Sequence, residues 1–290
     1  MEYIALDLGG SALKYGVLRD QGVIRDQGQL EHSRDITGAE LLRRMEQVIA
    51  ERMDDEIGGI GVSTLGTVDV EHGVVTGACE NLPGVCDLPI KEHLEQEFQV
   101  RVRVINDASA AALGEARFGA GRDLDRFYCL TLGTGIGGAY VTSGRVLNGV
   151  HGMAGEVGYL MRNNGVSWEQ RASVNAFLNM CRASGERRTD GHQIFADALA
   201  GRTNSQIFTR WLKQVAEGIC EIIYLLDPGT ILIGGGVSCY GRKLCDPLEK
   251  AVEQAIHQDF REGFRLAVAA AGNHANLLGA AALFMRSKLK

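Results

Sequence analysis

Apolar positions in this 290-residue chain come in short blocks, some continuous and some at helical spacing. The first block, Tyr3-Ile4-Ala5-Leu6, has strand length and stops at Asp7 and a glycine pair. Residues 3–8, 14–18 and a short stretch near 23–24 are predicted to form a strand meander. From 38 to 52, Leu41, Leu42, Met45, Val48 and Ile49 recur along one helix face. Residues 57–63 read as a buried strand, and 68–70 with 74–76 flank Glu71-His72-Gly73 as a hairpin. A helix over 91–98, a strand over 102–105 and an alanine-rich helix over 107–118 complete the series. Strands and helices in this alternation predict an α/β layout with a mixed sheet.

Gly119-Ala120-Gly121-Arg122-Asp123 is a hinge candidate, and beyond it the pattern restarts. A strand over 127–132, a glycine loop, a strand over 139–142 and a turn at Ser143-Gly144 repeat the opening, with Gly9 overlaid on Gly133 and Ser11 on Gly135. This weak repeat predicts a duplicated βββαβα core with a central cleft between the copies. The second copy carries a polar helical insertion over 167–209. It then resumes with a helix over 208–226, a strand over 230–233, Gly234-Gly235-Gly236, a helix over 247–260 and a strand over 265–269. A last alanine-rich helix, about 277–286, is expected to pack back on the first copy. The expected domains are therefore 1–118 with the terminal segment 275–290, and 119–274.

Composition narrows the class. Hydrophobic residues make up 45% and charged residues 23%, a globular balance, and no apolar run reaches membrane-spanning length. The 38 glycines are nearly twice the usual share and cluster after apolar runs, where they punctuate ordered structure. A net charge of −6 without a dense basic cluster argues against nucleic acid or an anionic membrane as partner. The opening lacks a basic lead and cleavage site, so a signal peptide is not expected and a cytoplasmic location is. Seven scattered cysteines show no C-x-x-C pair and no zinc-finger spacing, so free thiols in a reducing compartment are expected.

The chemistry concentrates at three glycine loops and the carboxylates near them. Asp7-Leu8-Gly9-Gly10-Ser11 and Gly133-Thr134-Gly135-Ile136-Gly137-Gly138 each join two apolar runs, reading as hairpin turns whose amides can cradle phosphate oxygens. Ser11 and Thr134 add hydroxyls, and Lys14 faces either phosphate or solvent. Gly133, Gly135 and Gly138 also satisfy G-x-G-x-x-G, but they lead into Ala139-Tyr140-Val141-Thr142, a strand and not a helix, so dinucleotide binding is rejected. Asp7 beside Gly9-Gly10 suits a magnesium ion, directly or through water, although it can also merely cap a turn. Asp107, in Ile105-Asn106-Asp107-Ala108, begins a helix. Capping and catalysis are compatible there, and the helix N-terminus favours an ionised carboxylate. Lying between two phosphate cradles in the sequence, it is the candidate base for phosphoryl transfer to a hydroxyl. Glu156 between glycines is a candidate hydroxyl-binding carboxylate, and Gly234-Gly235-Gly236 offers a wall without side chains for an adenine.

These motifs, in this order and over nearly the whole chain, resemble the ROK (repressor, open reading frame, kinase) family of sugar kinases. The resemblance implies the actin-like ATPase (ribonuclease H-like) fold, with ATP and Mg²⁺ as cofactors. It further implies Asp7, Gly9, Gly10, Ser11 and Lys14 in the first phosphate loop, Gly133, Thr134, Gly135 and Gly137 in the second, and Gly234, Gly235 and Gly236 at adenosine. Asn81, Asn106, Asp107, Glu156 and Glu169 match sugar-side positions of the family. The family's Gly-His followed by a cysteine-rich zinc-binding run is replaced here by Gly158-Tyr159 and a segment to Ser167 without cysteine or histidine. A closed zinc site lacks its ligands, so no zinc is expected. Tyr159 then stands near the sugar, and zinc-free members resembling β-glucoside kinases make a glucoside a serious candidate substrate.

The expected activity is ATP-dependent phosphorylation of a hexose or hexoside at the 6-hydroxyl, with Asp107 as general base, in a homodimer. The alternatives are a sugar-responsive regulator and a catalytically silent sugar-binding protein. Asp7 lies too near the start for a preceding DNA-binding region, and an intact Asp107 with both loops favours catalysis.

Overall fold

The computed structural model describes residues 1–19, 21–161 and 165–285. Contacts divide the chain into Met1–Asp125 with Val141–Ala154 and Asn273–Lys290, and Arg126–Tyr140 with Gly155–Gly272. The chain opens with β1 (Glu2–Leu8), β2 (Ala12–Arg19), β3 (Ile24–Glu31), α1 (Gly38–Ala50), β4 (Ile57–Thr64), β5 (Thr67–Asp69), β6 (Val74–Gly77), α2 (Ile90–Phe98), β7 (Val102–Asn106) and α3 (Asp107–Phe118). Five of these strands form a sheet in the order β3-β2-β1-β4-β7. Its β1–β4 and β4–β7 pairs are parallel, with Leu8 opposite Thr64 and Thr64 opposite Asn106. Three strand ends thus lie side by side.

Alternation decides the faces of this sheet. Ile4, Leu6 and Leu8 of β1 join Leu13, Val17, Ile60, Val62, Val102 and Val104 in one core beneath Leu41, Met45, Val48 and Ile49 of α1 and Leu94 of α2. Thr37 caps α1 by accepting the Glu40 amide at 3.3 Å.

The chain continues with β8 (Arg126–Leu132), β9 (Ile136–Thr142), β10 (Arg145–Val146), α4 (Trp168–Ala172), α5 (Val174–Ala183), α6 (Gly191–Leu199), α7 (Ser205–Leu226), β11 (Thr230–Gly234), α8 (Arg242–Ala255) and β12 (Arg265–Val268). The second sheet runs β10-β9-β8-β11-β12, with β11 parallel to both β8 and β12. Tyr128, Leu130, Ile231 and Ile233 pack under α7 and α8, while Phe177, Phe195, Phe208 and Trp211 form an aromatic cluster with mostly edge-to-face contacts. The buried Trp211 indole donates to the Ala172 carbonyl at 2.8 Å.

The last described helix, α9 (Ala275–Ala282), returns to the first sheet and packs against α3, β1 and β4. Glycine makes the approach possible. A Cβ on Gly279 would overlap the Ala110 carbonyl oxygen of α3, and one on Gly61 of β4 would overlap that of Ala280.

Some expectations need correction. The helix expected over 247–260 begins at Arg242 and ends at Ala255, with Pro247 inside it. Pro247 is the sixth residue of this helix and cannot donate back to Lys243, yet Leu244, Cys245, Leu248 and Val252 stay buried along it. Strand β3 extends to Glu31, well beyond the short stretch near residues 23–24, because pairing with β2 compensates for its polar sequence. The cysteines are not all free: Cys79 and Cys86 form a disulfide, leaving Cys129, Cys181, Cys220, Cys239 and Cys245 as thiols. The end of the expected terminal helix, residue 286, and the rest of 275–290 beyond Met285 lie outside the described residues. Among the described residues, no helix is long and apolar enough to cross a membrane.

Candidate active site

In the first unit the parallel register brings the functional positions to one sheet edge. Asp7 sits one residue before the end of β1, and Asp107 follows the last residue of β7. Carboxyl ends of parallel strands are where open α/β sheets gather ligands, because helix N-termini and loops converge there. Asp7 is 7% exposed, and its Oδ1 accepts from the Ser63 hydroxyl and the Asn276 amide, both at 2.9 Å. Lys14 lies opposite Asp7 across the β1–β2 ladder. Gly9 and Gly10 turn between these strands, with the Gly9 amide donating to Ala12 at 3.0 Å. The Ser11 carbonyl accepts from the His32 amide at 2.9 Å.

Asn106 caps α3, its side-chain oxygen accepting from the Ser109 amide at 3.1 Å while its Nδ2 donates to the Gly66 carbonyl at 3.0 Å. Both ends of that amide are thereby fixed. The Asp107 carboxylate accepts its neighbour's Ala108 amide at 2.8 Å. Burial, with the negative charge of Asp7 second, pushes the Asp107 carboxyl up to about 6, against the opposing pull of the Ala108 amide and the Asn106 side chain. A carboxyl tuned this way is poised to exchange a proton near neutral pH. Asn81 lies in the loop after β6, its carbonyl oxygen 3.8 Å from where a Cβ on Gly10 would stand.

In the second unit, β8 and β11 are parallel with Thr131 opposite Gly234, so the Gly133 loop and the Gly234-Gly235-Gly236 segment leave the sheet together. A Cβ on Gly133 would lie 4.0 Å from the Gly236 amide. The Gly133 loop is tied on two sides: its own amide donates to Gly135 at 3.0 Å, and its carbonyl accepts from Val174 at the start of α5, at 2.9 Å. Thr134 is exposed at the tip, and Gly137 lies in β9. Glu169 joins this loop, its carboxylate accepting the Ile136 amide at 2.8 Å. Glu156 precedes a single helical turn, Val157–Tyr159, and its charge, after burial, helps hold the Tyr128 phenol protonated. A Cβ on Gly158 would overlap the Ile136 carbonyl oxygen, and Tyr159 is 58% exposed.

Sequence reasoning missed Ser63, Asn276 and Arg34, the partners that fix Asp7 and the Asn81 loop. A serine at the end of an otherwise apolar strand was a usable signal for Ser63. Asn276 had none, since it comes from the far end of the chain. Among the described residues there is no group of three or more His, Cys, Asp or Glu placed to hold a metal ion. Asp7 still fits a magnesium ion completed by phosphate oxygens and water. Its Oδ1 is committed to two donors, and its charge adds to that of Asp107, so a hard cation would relieve the repulsion.

Two five-stranded sheets, each carrying a glycine loop after its first strand, define the actin-like class of fold. Residues 3–287 match the ROK family, and this chain belongs to it. It is 30% identical over 308 residues to a glucokinase of Thermotoga maritima, covering 98% of this chain and 97% of the relative. It is 34% identical over 251 residues to a β-glucoside kinase of Listeria monocytogenes, covering 82% and 83%. The ROK family glucokinase of Streptomyces griseus, solved with glucose and AMPPNP, superposes with a TM-score of 0.82 at 28% identity, covering 98% of this chain and 99% of that one.

Proposed function

We propose that this chain is an ATP-dependent sugar kinase that phosphorylates a hexose or hexoside at its 6-hydroxyl. The observation that carries the reading is Asp107: a carboxyl at the first position of α3 raised to about 6, at the same sheet edge as the first glycine loop. The relatives named glucokinase and β-glucoside kinase supply the reaction class. The primary 6-hydroxyl is the least hindered acceptor on a pyranose.

In this mechanism the sugar oxygen forms a bond to the γ-phosphorus as the bond to the ADP oxygen breaks, and the hydroxyl proton passes to an Asp107 carboxylate oxygen. Asn106, fixed at both ends of its amide, orients the acceptor sugar together with Asn81 and Glu156. The two glycine loops, Gly9–Ser11 with Lys14 and Gly133–Gly137 with Thr134, hold phosphate oxygens through the N–H and hydroxyl groups that their internal hydrogen bonds leave free, and Gly234–Gly236 backs the adenosine. Glu169 ties the end of the second loop by accepting the Ile136 amide, beside any sugar contact it makes. Asp7 would hold a magnesium ion, directly or through water, and the ion would supply charge neutralisation at the phosphates. Positioning and electrostatics supply most of the catalysis in such transfers.

The test is ADP release from ATP across glucose, mannose, N-acetylated hexoses and cellobiose, with product regiochemistry read by NMR. Sugar-dependent ADP formation and a 6-phosphate are expected. Sugar binding without ADP release from any member would instead identify a silent sugar-binding protein.

A further inference from the structure

The loop between β6 and α2 is held at two places. The Cys79–Cys86 disulfide closes it on itself. On its outer side lies the exposed Arg34, whose guanidinium donates to the Glu80 carbonyl at 2.9 Å, the Asn81 carbonyl at 3.3 Å and the Asn81 side-chain oxygen at 3.3 Å. Two residues earlier, the His32 amide donates to the Ser11 carbonyl at 2.9 Å. One short segment therefore grips the first glycine loop and the Asn81 loop together.

The chemistry of the two side chains fixes an orientation. A guanidinium carries five donors and no acceptor, whereas a carboxamide has one oxygen and one NH₂. Only the oxygen of Asn81 can face Arg34, so its NH₂ is left for something else. No hydrogen bond among the described residues engages it.

We propose that Arg34 is a positioning residue that makes Asn81 a hydrogen-bond donor toward one oxygen of the bound sugar. This rests on the kinase reading, with Asn81 on the sugar side. It deepens that reading in one respect: the oxygen met by Asn81 serves as an acceptor, so it does not need a hydrogen of its own. An ether or glycosidic oxygen satisfies Asn81 as well as a hydroxyl does. Substituted sugars are then tolerated at that position for an electronic reason, separate from the space available.

The test compares wild type, Arg34→Ala, Arg34→Lys and Asn81→Asp on glucose and its monodeoxy and monofluoro derivatives at positions 1 to 4. Binding of each sugar without ATP is measured in parallel by calorimetry. At one position the deoxy sugar should bind about tenfold more weakly to wild type while the fluoro sugar, which keeps an acceptor, loses less. Arg34→Ala should weaken sugar binding and raise sugar KM about fivefold, leave the KM for ATP and kcat near wild type, and shrink the deoxy penalty. Arg34→Lys, a single-pronged donor, should fall between. Asn81→Asp keeps an oxygen for Arg34 but presents no donor, so it should lose the fluoro-over-deoxy preference.

Unchanged sugar affinity in Arg34→Ala would overturn the proposal. So would an equal rise in both KM values with a lowered thermal midpoint, which marks a general structural role. If sugar binds with this Arg34 dependence but is not phosphorylated, the kinase reading fails and the Asn81 orientation stands. If no sugar binds at all, both fail.

Discussion

Asp7 acts on Asp107 through charge: after burial, its carboxylate is the largest influence lifting the Asp107 carboxyl to about 6. Asp7 itself is held by Ser63 and Asn276, both donating to the same oxygen. The residue read as the metal-side carboxylate thus also tunes the residue read as the base, and a cation bound at Asp7 would weaken that influence.

Asp107→Asn keeps the α3 cap, because Asn106 supplies it, and should leave the fold and ATP binding intact. Turnover should fall by about two to four orders of magnitude, the usual cost of losing a positioned base. Single-turnover rates near wild type would remove Asp107 from the role of base.

The same carboxyl sets two pH dependences. With its ionised form required, kcat/KM should fall about tenfold per pH unit below about 6, a limb that Asp107→Asn lacks. The stability effect has the opposite sense. Between its ordinary value of 3.8 and about 6, the folded chain holds a proton that the unfolded chain has released, so stability drops as pH rises through that window. Asp107→Asn should therefore melt higher than wild type at neutral pH, with the gap closing below about pH 4. Calorimetric scans of both proteins across this range check the sign.

The reading of the segment after Tyr159 predicts a protein without stoichiometric zinc, whose thermal midpoint is unmoved by strong chelators when no nucleotide is present. Elemental analysis finding one tightly held zinc per chain would reverse it.

Tyr159, 58% exposed, offers a broad ring where the family carries imidazole. Stacking on an added glycosyl group should make cellobiose or another β-glucoside at least as good a substrate as glucose by kcat/KM. A clear preference for free glucose that persists in Tyr159→His would show that this position does not select the substrate.

The Cys79–Cys86 bond gives a prediction independent of catalysis. Denatured without reductant, the chain should titrate five of its seven thiols. Removing the cross-link by Cys79→Ser with Cys86→Ser should cost about 2 kcal/mol from the chain entropy of so short a loop. Seven reactive thiols would mean the pair is open in solution.

Much of this was legible in the residues because it depends on local pattern. The helix over 107–118 was legible to the residue, since Asn106 caps it and Gly119 ends it. The glycine loops were legible as turns because each interrupts an apolar run. Alternation could not reveal β3, whose polar sequence becomes a strand only by pairing with β2. The expected start of α8 at residue 247 was five residues late, since the helix begins at Arg242 and carries Pro247 inside it. The disulfide left no signature: two cysteines seven apart look like any two, and only the fold of the loop brings them together. Arg34 and Asn276 were invisible for the same reason, each acting on a residue far away in sequence.

The return of α9 to the first sheet has a consequence for the order of synthesis. All five strands of that sheet are synthesised by residue 106, yet the amide that holds Asp7 belongs to Asn276 and is made about 170 residues later. The snug seat that Gly61 and Gly279 provide for α9 stays vacant until then. A nascent chain therefore carries Asp7 and Asp107 without the arrangement that sets their charges. Completion of this half of the site is timed by the synthesis of α9.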